Sequence, residues 1–363
     1  LIYASADEAP DAATIAAQGT AVTKSSAAAL AAANTSNVTG LIAGTAYKAY
    51  VIVKDTADNS STVSTITLTT TVPTPTTPDL LTASDSGTSS TDNVTSDSTP
   101  TITVSGNLAG TGVVTASKAG ATNVTCTLSS GSCTLGALSP DGEWSITVTD
   151  TGPAGGTATS SALVITVDTT APTVTLSRSG SGTILSGQTV TITFTFSESV
   201  TGFDSSDIQR CPADASNGSF GAVSGSGSTY TAVFTPTADT ASGNANLCVG
   251  PGAVSDAGGN AMTAWSSILN MTVDTRLPTV TAFTSSTTNG TYAAGSSIAI
   301  SATTSESVQS GNTITVTLDT GATVTLTAAS AGTTLSGTYT VAVGNSSSDL
   351  TVSSFTIGTV LDT

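Results

Sequence analysis

Alternation of apolar and polar positions dominates this chain. In VTITFTFS (Val190–Ser197), Ile192, Phe194 and Phe196 fall on one side, and Thr191, Thr193 and Thr195 on the other. In TITVTL (Thr313–Leu318), Ile314, Val316 and Leu318 alternate with threonines. A period of two is the signature of a half-buried strand, and Thr and Val suit its pleated surface. Such runs recur, separated by Gly, Asn, Asp and Ser clusters that read as turns. The pattern predicts an all-β chain. Two stretches depart from it: PDAATIAAQG (Pro10–Gly19) and the Ala-rich run after Lys24 read as short helical insertions. The longest apolar run, Ala27–Ala33, falls far short of the roughly 18 residues a membrane-spanning helix needs.

The alternation is punctuated by a repeat. VDTTAPTVTL (Val167–Leu176) returns as VDTRLPTVTA (Val273–Ala282). Each copy ends one apolar-alternating run and starts another around a proline, so each reads as a linker between β domains. FSESVTGF (Phe196–Phe203) follows the first copy and TSESVQSG (Thr304–Gly311) the second, which makes this a tandem repeat. A third boundary lies in the Pro-Thr stretch TTTVPTPTTPDL (Thr69–Leu80). Four units follow: 1–77, 78–168, 169–274 and 275–363. Each is near the roughly 100 residues of an immunoglobulin-like sandwich, and a single core rarely grows past about 250–300 residues. The fold expected is all-β: tandem immunoglobulin-like or fibronectin III-like β-sandwiches in an elongated rod.

Particular motifs carry resemblances. VTGLIAGTAYKAYVIVKDTADNSS (Val38–Ser61) resembles the later half of a fibronectin type III domain, with Leu41 and Tyr47 in the places of that family's tyrosine corner. Tyr47, Ala49, Val51 and Val53 are then expected inward, and Lys48, Tyr50 and Ile52 outward. The unit that carries SDSGTSSTDNVTSDSTPTITVSG (Ser84–Gly106) and DGEWSITVT (Asp141–Thr149) resembles the bacterial Ig-like repeats of giant surface adhesins. The next, with the decapeptide, FSESVTGFDSSDI and VSDAGGNAM, is similar to another repeat type of the same sort of protein, and the last unit matches it over its first half. Against those patterns unit 1 lacks its front strands. Unit 4 stops at TVLDT (Thr359–Thr363), where unit 3 reads AVSDA (Ala253–Ala257) and continues. The chain is therefore expected to be an excised piece with incomplete end domains, and rows such as Ile314, Val316 and Leu318 are expected to be poorly covered.

Composition narrows the chemistry. Only 9% of residues are charged, histidine is absent, and 24 acids against 7 bases give a net charge of −17. Without His, most hydrolytic triads and zinc sites and the commonest general base are missing. SGSG (Ser179–Gly182) and GSGS (Gly225–Ser228) are turn-like and lack the lysine of a phosphate loop. No enzyme is read here. Nucleic acid and anionic membranes are poor partners for so acidic a chain. The partners expected are neighbouring domains or copies of the chain, and surface glycans or other cell-surface ligands.

Four cysteines remain. If Ser129 and Ser130 form a hairpin tip, Cys126 lies opposite Cys133, within disulfide reach. Cys211 and Cys248 fall within the next unit and leave no odd cysteine over; the alternative is four free buried thiols, whereas two bridges imply an extracellular or cell-surface location. The acids form the one constellation with chemistry in it. Asp85, Asp92, Asn93 and Asp97 cluster near Asp79, while Asp168 and Asp274 sit on the linkers and Glu198 and Glu306 recur at equivalent repeat positions. Ca²⁺ takes six to eight oxygen ligands, and the resemblance to adhesin repeats implies interdomain calcium at Asp79, Asp85, Asp92, Asp97, Asp168 and Asp274. The competing reading makes these Asp and Asn residues turn formers. Three functions stay open: a structural or adhesive segment of a large extracellular bacterial protein, a filament or sheath subunit joined by strand complementation, and an accessory region of a secreted polysaccharide-degrading enzyme.

Overall fold

The structure, a computed structural model, describes residues 2–4, 41–52, 57, 59–211, 217–358 and 360–362. The two stretches expected to be helical, and Val53, lie outside the described residues. Among the described residues every helix or strand element is a strand. The chain divides into two compact units: residues 1–172 with 198–202 and 254–263, and the remainder.

In the first unit, one sheet runs in the order Asp79–Leu80, Thr101–Thr103, Ser132–Thr134. A second runs Val94–Thr95, Leu163–Val167, Gly142–Thr151, Thr111–Ser117, Val124–Thr127. Val94–Thr95 pairs parallel with Leu163–Val167, in register Val167 to Thr95. The inward rows of both sheets share one core around Ile102, Val114, Leu138, Trp144, Ile146 and Ile165. Gly142–Thr151 shows the alternation best, with Trp144, Ile146, Val148 and Asp150 all buried. Asp150 is tolerated there because its carboxylate accepts the N–H groups of Ala109 (2.6 Å) and Gly110 (3.1 Å).

The short strand Ala46–Val51 of this unit carries the tyrosine corner: the Tyr47 hydroxyl accepts the Ile42 N–H at 2.8 Å. Tyr50, expected outward, is 3% exposed, as buried as Tyr47. Three positions apart, the two rings lie on opposite faces of the strand, so both faces are covered and alternation stops reporting on burial.

In the second unit, Val174–Arg178, Val190–Phe196, Thr229–Pro236 and Gly218–Phe220 form one sheet. Ile184–Leu185, Thr272–Asp274 and Gly243–Asn244 form another, and Ile208–Arg210 pairs with Leu247–Val249. Ile192, Phe194 and Phe196 point inward as the alternation requires. Phe194, Phe196, Phe203 and Tyr230 meet at ring-centroid distances of 4.9–5.8 Å, the tilted and edge-on arrangements that aromatic quadrupoles favour. Ile184–Leu185 pairs parallel with Thr272–Asp274, repeating the arrangement at Val94–Thr95. The last sheet runs Val280–Thr284, Ser297–Val308, Gly332–Thr340, Thr323–Thr327, Thr313–Leu318, Val352–Ile357. Its Ile314, Val316 and Leu318 are at most 2% exposed, against expectation. Ala302, Val308, Leu326 and Leu335 from its other strands join them in one core.

The disulfides are Cys126–Cys133 and Cys211–Cys248, with Cα atoms 6.0 and 5.8 Å apart. The first does not lie across a hairpin as the spacing implied. Ser129 bridges Ser132, so the tip is Ser130–Gly131, with φ of 53° and 83°. Two central residues with positive φ fit the backbone twist of a two-residue hairpin turn, and Gly takes such a conformation at no steric cost. The register therefore sits one residue beyond the expected tip. Cys126 lies on the strand paired with Thr111–Ser117, and Cys133 on the strand paired with Thr101–Thr103. The bond thus ties one sheet to the other.

Candidate metal centres

The repeated decapeptide has a structural task at several of its shared positions. Val167 and Val273 are fully buried on the strands that make the parallel pairs. The residues that follow them are Asp168 and Asp274. Further on, Thr173 donates its N–H to the Ser197 hydroxyl (3.0 Å) and accepts the Ser197 N–H (2.8 Å). Thr279 and Ser305 repeat that two-bond clasp at 3.0 and 2.8 Å. The residue after each clasped serine is a glutamate, Glu198 or Glu306. The SES motif is thus a linker clasp that presents a carboxylate.

A third acid completes each set. One carboxylate oxygen from each of Asp168, Glu198 and Asp256 lies within 4.8 Å of the others, and the same holds for Asp274, Glu306 and Asp362. In the first set Asp256 is 1% exposed and braced by Asn260. Its carboxylate accepts the Asn260 N–H (2.9 Å) and side-chain amide (2.9 Å), and that amide also donates to the Asp168 carbonyl (2.8 Å). The loop needs its two glycines. A Cβ on Gly259, at φ +87°, would meet the Ser86 carbonyl at 2.2 Å, and one on Gly258 would lie 3.0 Å from the Asp168 carbonyl. In the second set the Leu361 carbonyl accepts Gln309 N–H (3.0 Å) and the Asn312 amide (2.7 Å), and the Asp362 carbonyl accepts the Gln309 amide (2.7 Å).

The electrostatics of the second set are unfavourable for bare carboxylates. Burial raises the Glu306 carboxyl above the usual range, the charges of Asp362 and Asp274 raise it further, and Arg276 opposes them. Asp274 Oδ1 and Glu306 Oε1 are buried with no hydrogen-bond partner. A buried acceptor left unmatched costs about 1–3 kcal/mol. The donor set is all oxygen and triply anionic, which fits a hard divalent cation and not a soft one.

The other acids expected at a metal are not assembled this way. Asp79 is exposed on Asp79–Leu80. Asp92 takes Ser89 N–H (3.0 Å), Val94 N–H (3.1 Å) and the Thr88 hydroxyl (3.3 Å). Asp97 takes Thr99 N–H (2.8 Å), the Thr99 hydroxyl (3.1 Å) and the Ser84 hydroxyl (3.0 Å). Their lone pairs are spent on turns. Of the acids singled out from the sequence, Asp168 and Asp274 join the triads with Glu198 and Glu306. Asp256 and Asp362 were missed, although they occupy matching places in AVSDA and TVLDT.

Asp85 is separate. It is 6% exposed, and its Oδ1 has no hydrogen-bond partner. Burial raises its carboxyl, the Asn93 N–H works against that, and neighbouring Asp92 adds to it. A carboxyl raised in the fold holds its proton more tightly there than in the unfolded chain. Its ionisation therefore opposes folding, a cost absent below the unfolded value of 3.8 and full above the raised one. Asp85→Asn should accordingly stabilise the chain near neutral pH by about 1 kcal/mol. The gain should vanish in acid, and melting curves across the pH range would check this. An equal gain at every pH would mean that charge is not the cause.

Two sheets packed face to face around alternating inward rows, and repeated along the chain, define the immunoglobulin-like class. Residues 71–169 match one family model and residues 168–273 another, each described as a bacterial Ig-like domain. The chain carries bacterial Ig-like domains in tandem. Among solved structures, the crystal structure of chicken CNTN1 FN1-FN3 domains aligns with 64% of this chain and 79% of its own, at 16% identity and a TM-score of 0.25. No curated protein matches the chain.

Proposed function

We propose that this chain is a non-catalytic structural segment of a larger extracellular bacterial protein, holding a binding part away from the surface, with domain junctions set by calcium. The observation that carries the reading is the recurrence of one Asp–Glu–Asp set at two successive linkers, each made from the end of one domain and two separate segments of the next. Asp168, Glu198 and Asp256 would hold one ion, and Asp274, Glu306 and Asp362 the other. A bound ion would neutralise the mutual repulsion of the acids and restrict the linker. The extracellular placement is supported by two disulfides, which persist in oxidising compartments. The absence of histidine from the sequence supports the non-catalytic role.

Calorimetric titration with Ca²⁺ tests this. Two sites are expected, with Glu198→Gln and Glu306→Gln each removing one. Small-angle scattering should show a change in maximum dimension on chelation. No binding heat together with unchanged dimensions would reduce both triads to surface acids.

A further inference from the structure

The sequence has two tryptophans, and the fold treats them oppositely. Trp144 is 1% exposed in a core, whereas Trp265 is 56% exposed. An indole joins a broad apolar face to a polar N–H, a combination that suits a contact surface. Its backbone is held firmly. Next to it, Ser266 donates its N–H to the Val249 carbonyl (2.9 Å), and its hydroxyl accepts the Val249 N–H (2.9 Å). The six-membered edge of the ring lies over Gly250, where a Cβ would come within 3.1 Å of Cζ3 and 3.2 Å of Cη2. That same point is 3.0 Å from the Gln209 amide nitrogen, so indole and carboxamide flank one glycine.

Gln209 leads on into a recess of about 480 Å³ that Arg210, Ser219 and Phe220 also line. No carboxylate is among its lining residues. Gln209 pairs with Cys248 across the strands, and the Cys211–Cys248 disulfide closes the same edge. The platform is therefore built on fixed backbone, which lowers the entropic cost of binding.

The geometry points to a glycan-binding subsite in which the Trp265 indole stacks on the apolar face of a neutral pyranose and Gln209 and Arg210 hydrogen-bond its hydroxyls. A sugar ring offers both things this strip can satisfy: a face of C–H groups for an aromatic, and an edge of hydroxyls for amide and guanidinium donors. A polyanionic glycan would face a chain of net charge −17. This site goes beyond the structural role proposed for the chain and does not depend on the acidic triads.

Tryptophan fluorescence reads the site directly, because buried Trp144 serves as an internal reference. The full chain is titrated with cellohexaose, maltohexaose and N-acetylchitohexaose, in calcium and again in chelator. At least one sugar should shift the emission saturably in both conditions. Trp265→Ala should weaken binding by about tenfold or more, and Gln209→Ala by several-fold. Thermal melting should be unchanged in both variants, since both side chains are exposed. The assignment fails if no sugar gives a saturable change, or if binding survives Trp265→Ala. It also fails if a proline-rich peptide, run in parallel, is the only ligand to perturb Trp265.

Discussion

Calcium at 10 mM should raise the melting temperatures of the two domains that present Glu198 and Glu306 by roughly 10 °C or more, if affinity is near that of extracellular calcium modules, on the order of 0.1 mM. A ligand at about a hundred times its dissociation constant stabilises by about 2.7 kcal/mol per site. For domains of this size each kcal/mol moves the midpoint by about 4–8 °C. The increment should be divisible. Glu198→Gln should abolish it for the domain of residues 168–273, and Glu306→Gln for the domain that follows. In chelator Glu306→Gln should be no less stable than the parent, because it removes a buried carboxylate oxygen that lacks a partner. Equal melting curves with and without calcium would overturn the assignment of both triads.

The other large effect concerns the core of residues 78–168. Trp144→Ala should cost about 3–5 kcal/mol, the usual range for truncating a buried aromatic. Trp144 is 1% exposed between the two sheets, and its indole N–H donates to the Pro140 carbonyl at 3.2 Å. The substitution both opens a cavity and strips that carbonyl of its donor. A typical domain is stable by only about 5–15 kcal/mol, so much of the margin would go. The damage should stay local. Hydrogen exchange should lose protection in Gly142–Thr151 and Leu163–Val167 while Val190–Phe196 keeps it. Unchanged protection in the first two strands would mean that Trp144 contributes far less than its burial implies.

Where burial is one-sided, alternation was enough to read the fold. Ile192, Phe194 and Phe196 were legible because threonine on the other face marks solvent; for Ile314, Val316 and Leu318 the alternation showed the apolar face but not that Ala302, Val308, Leu326 and Leu335 cover it. Tyr50 was not, because its strand is covered on both faces and a tyrosine on either looks the same in sequence. The cysteine pair was legible but its reason was not, since the turn residue that takes positive φ sets the register and spacing alone does not reveal it. The acidic triads were half legible. The repeat exposed Asp168, Asp274, Glu198 and Glu306, because the same linker occurs twice. Density of acids misled at Asp92 and Asp97, whose oxygens are taken up by nearby N–H and hydroxyl groups within their own loops. Asp256 and Asp362 reach the linker only through the folding of a distant loop, so only the matching of AVSDA to TVLDT could have raised them.

The clasp between Thr173 and Ser197, repeated at Thr279 and Ser305, has a consequence for how such a chain lengthens. Each of these two junctions is assembled from a fixed contribution on either side: the closing strand of one domain brings an aspartate, and the next brings the clasped serine, its glutamate and a second aspartate. A duplication or exchange cut within such a linker, between domains of this type, therefore leaves the new border with all three acids and a working clasp. Domains can be added, lost or shuffled by recombination without a junction having to evolve afresh.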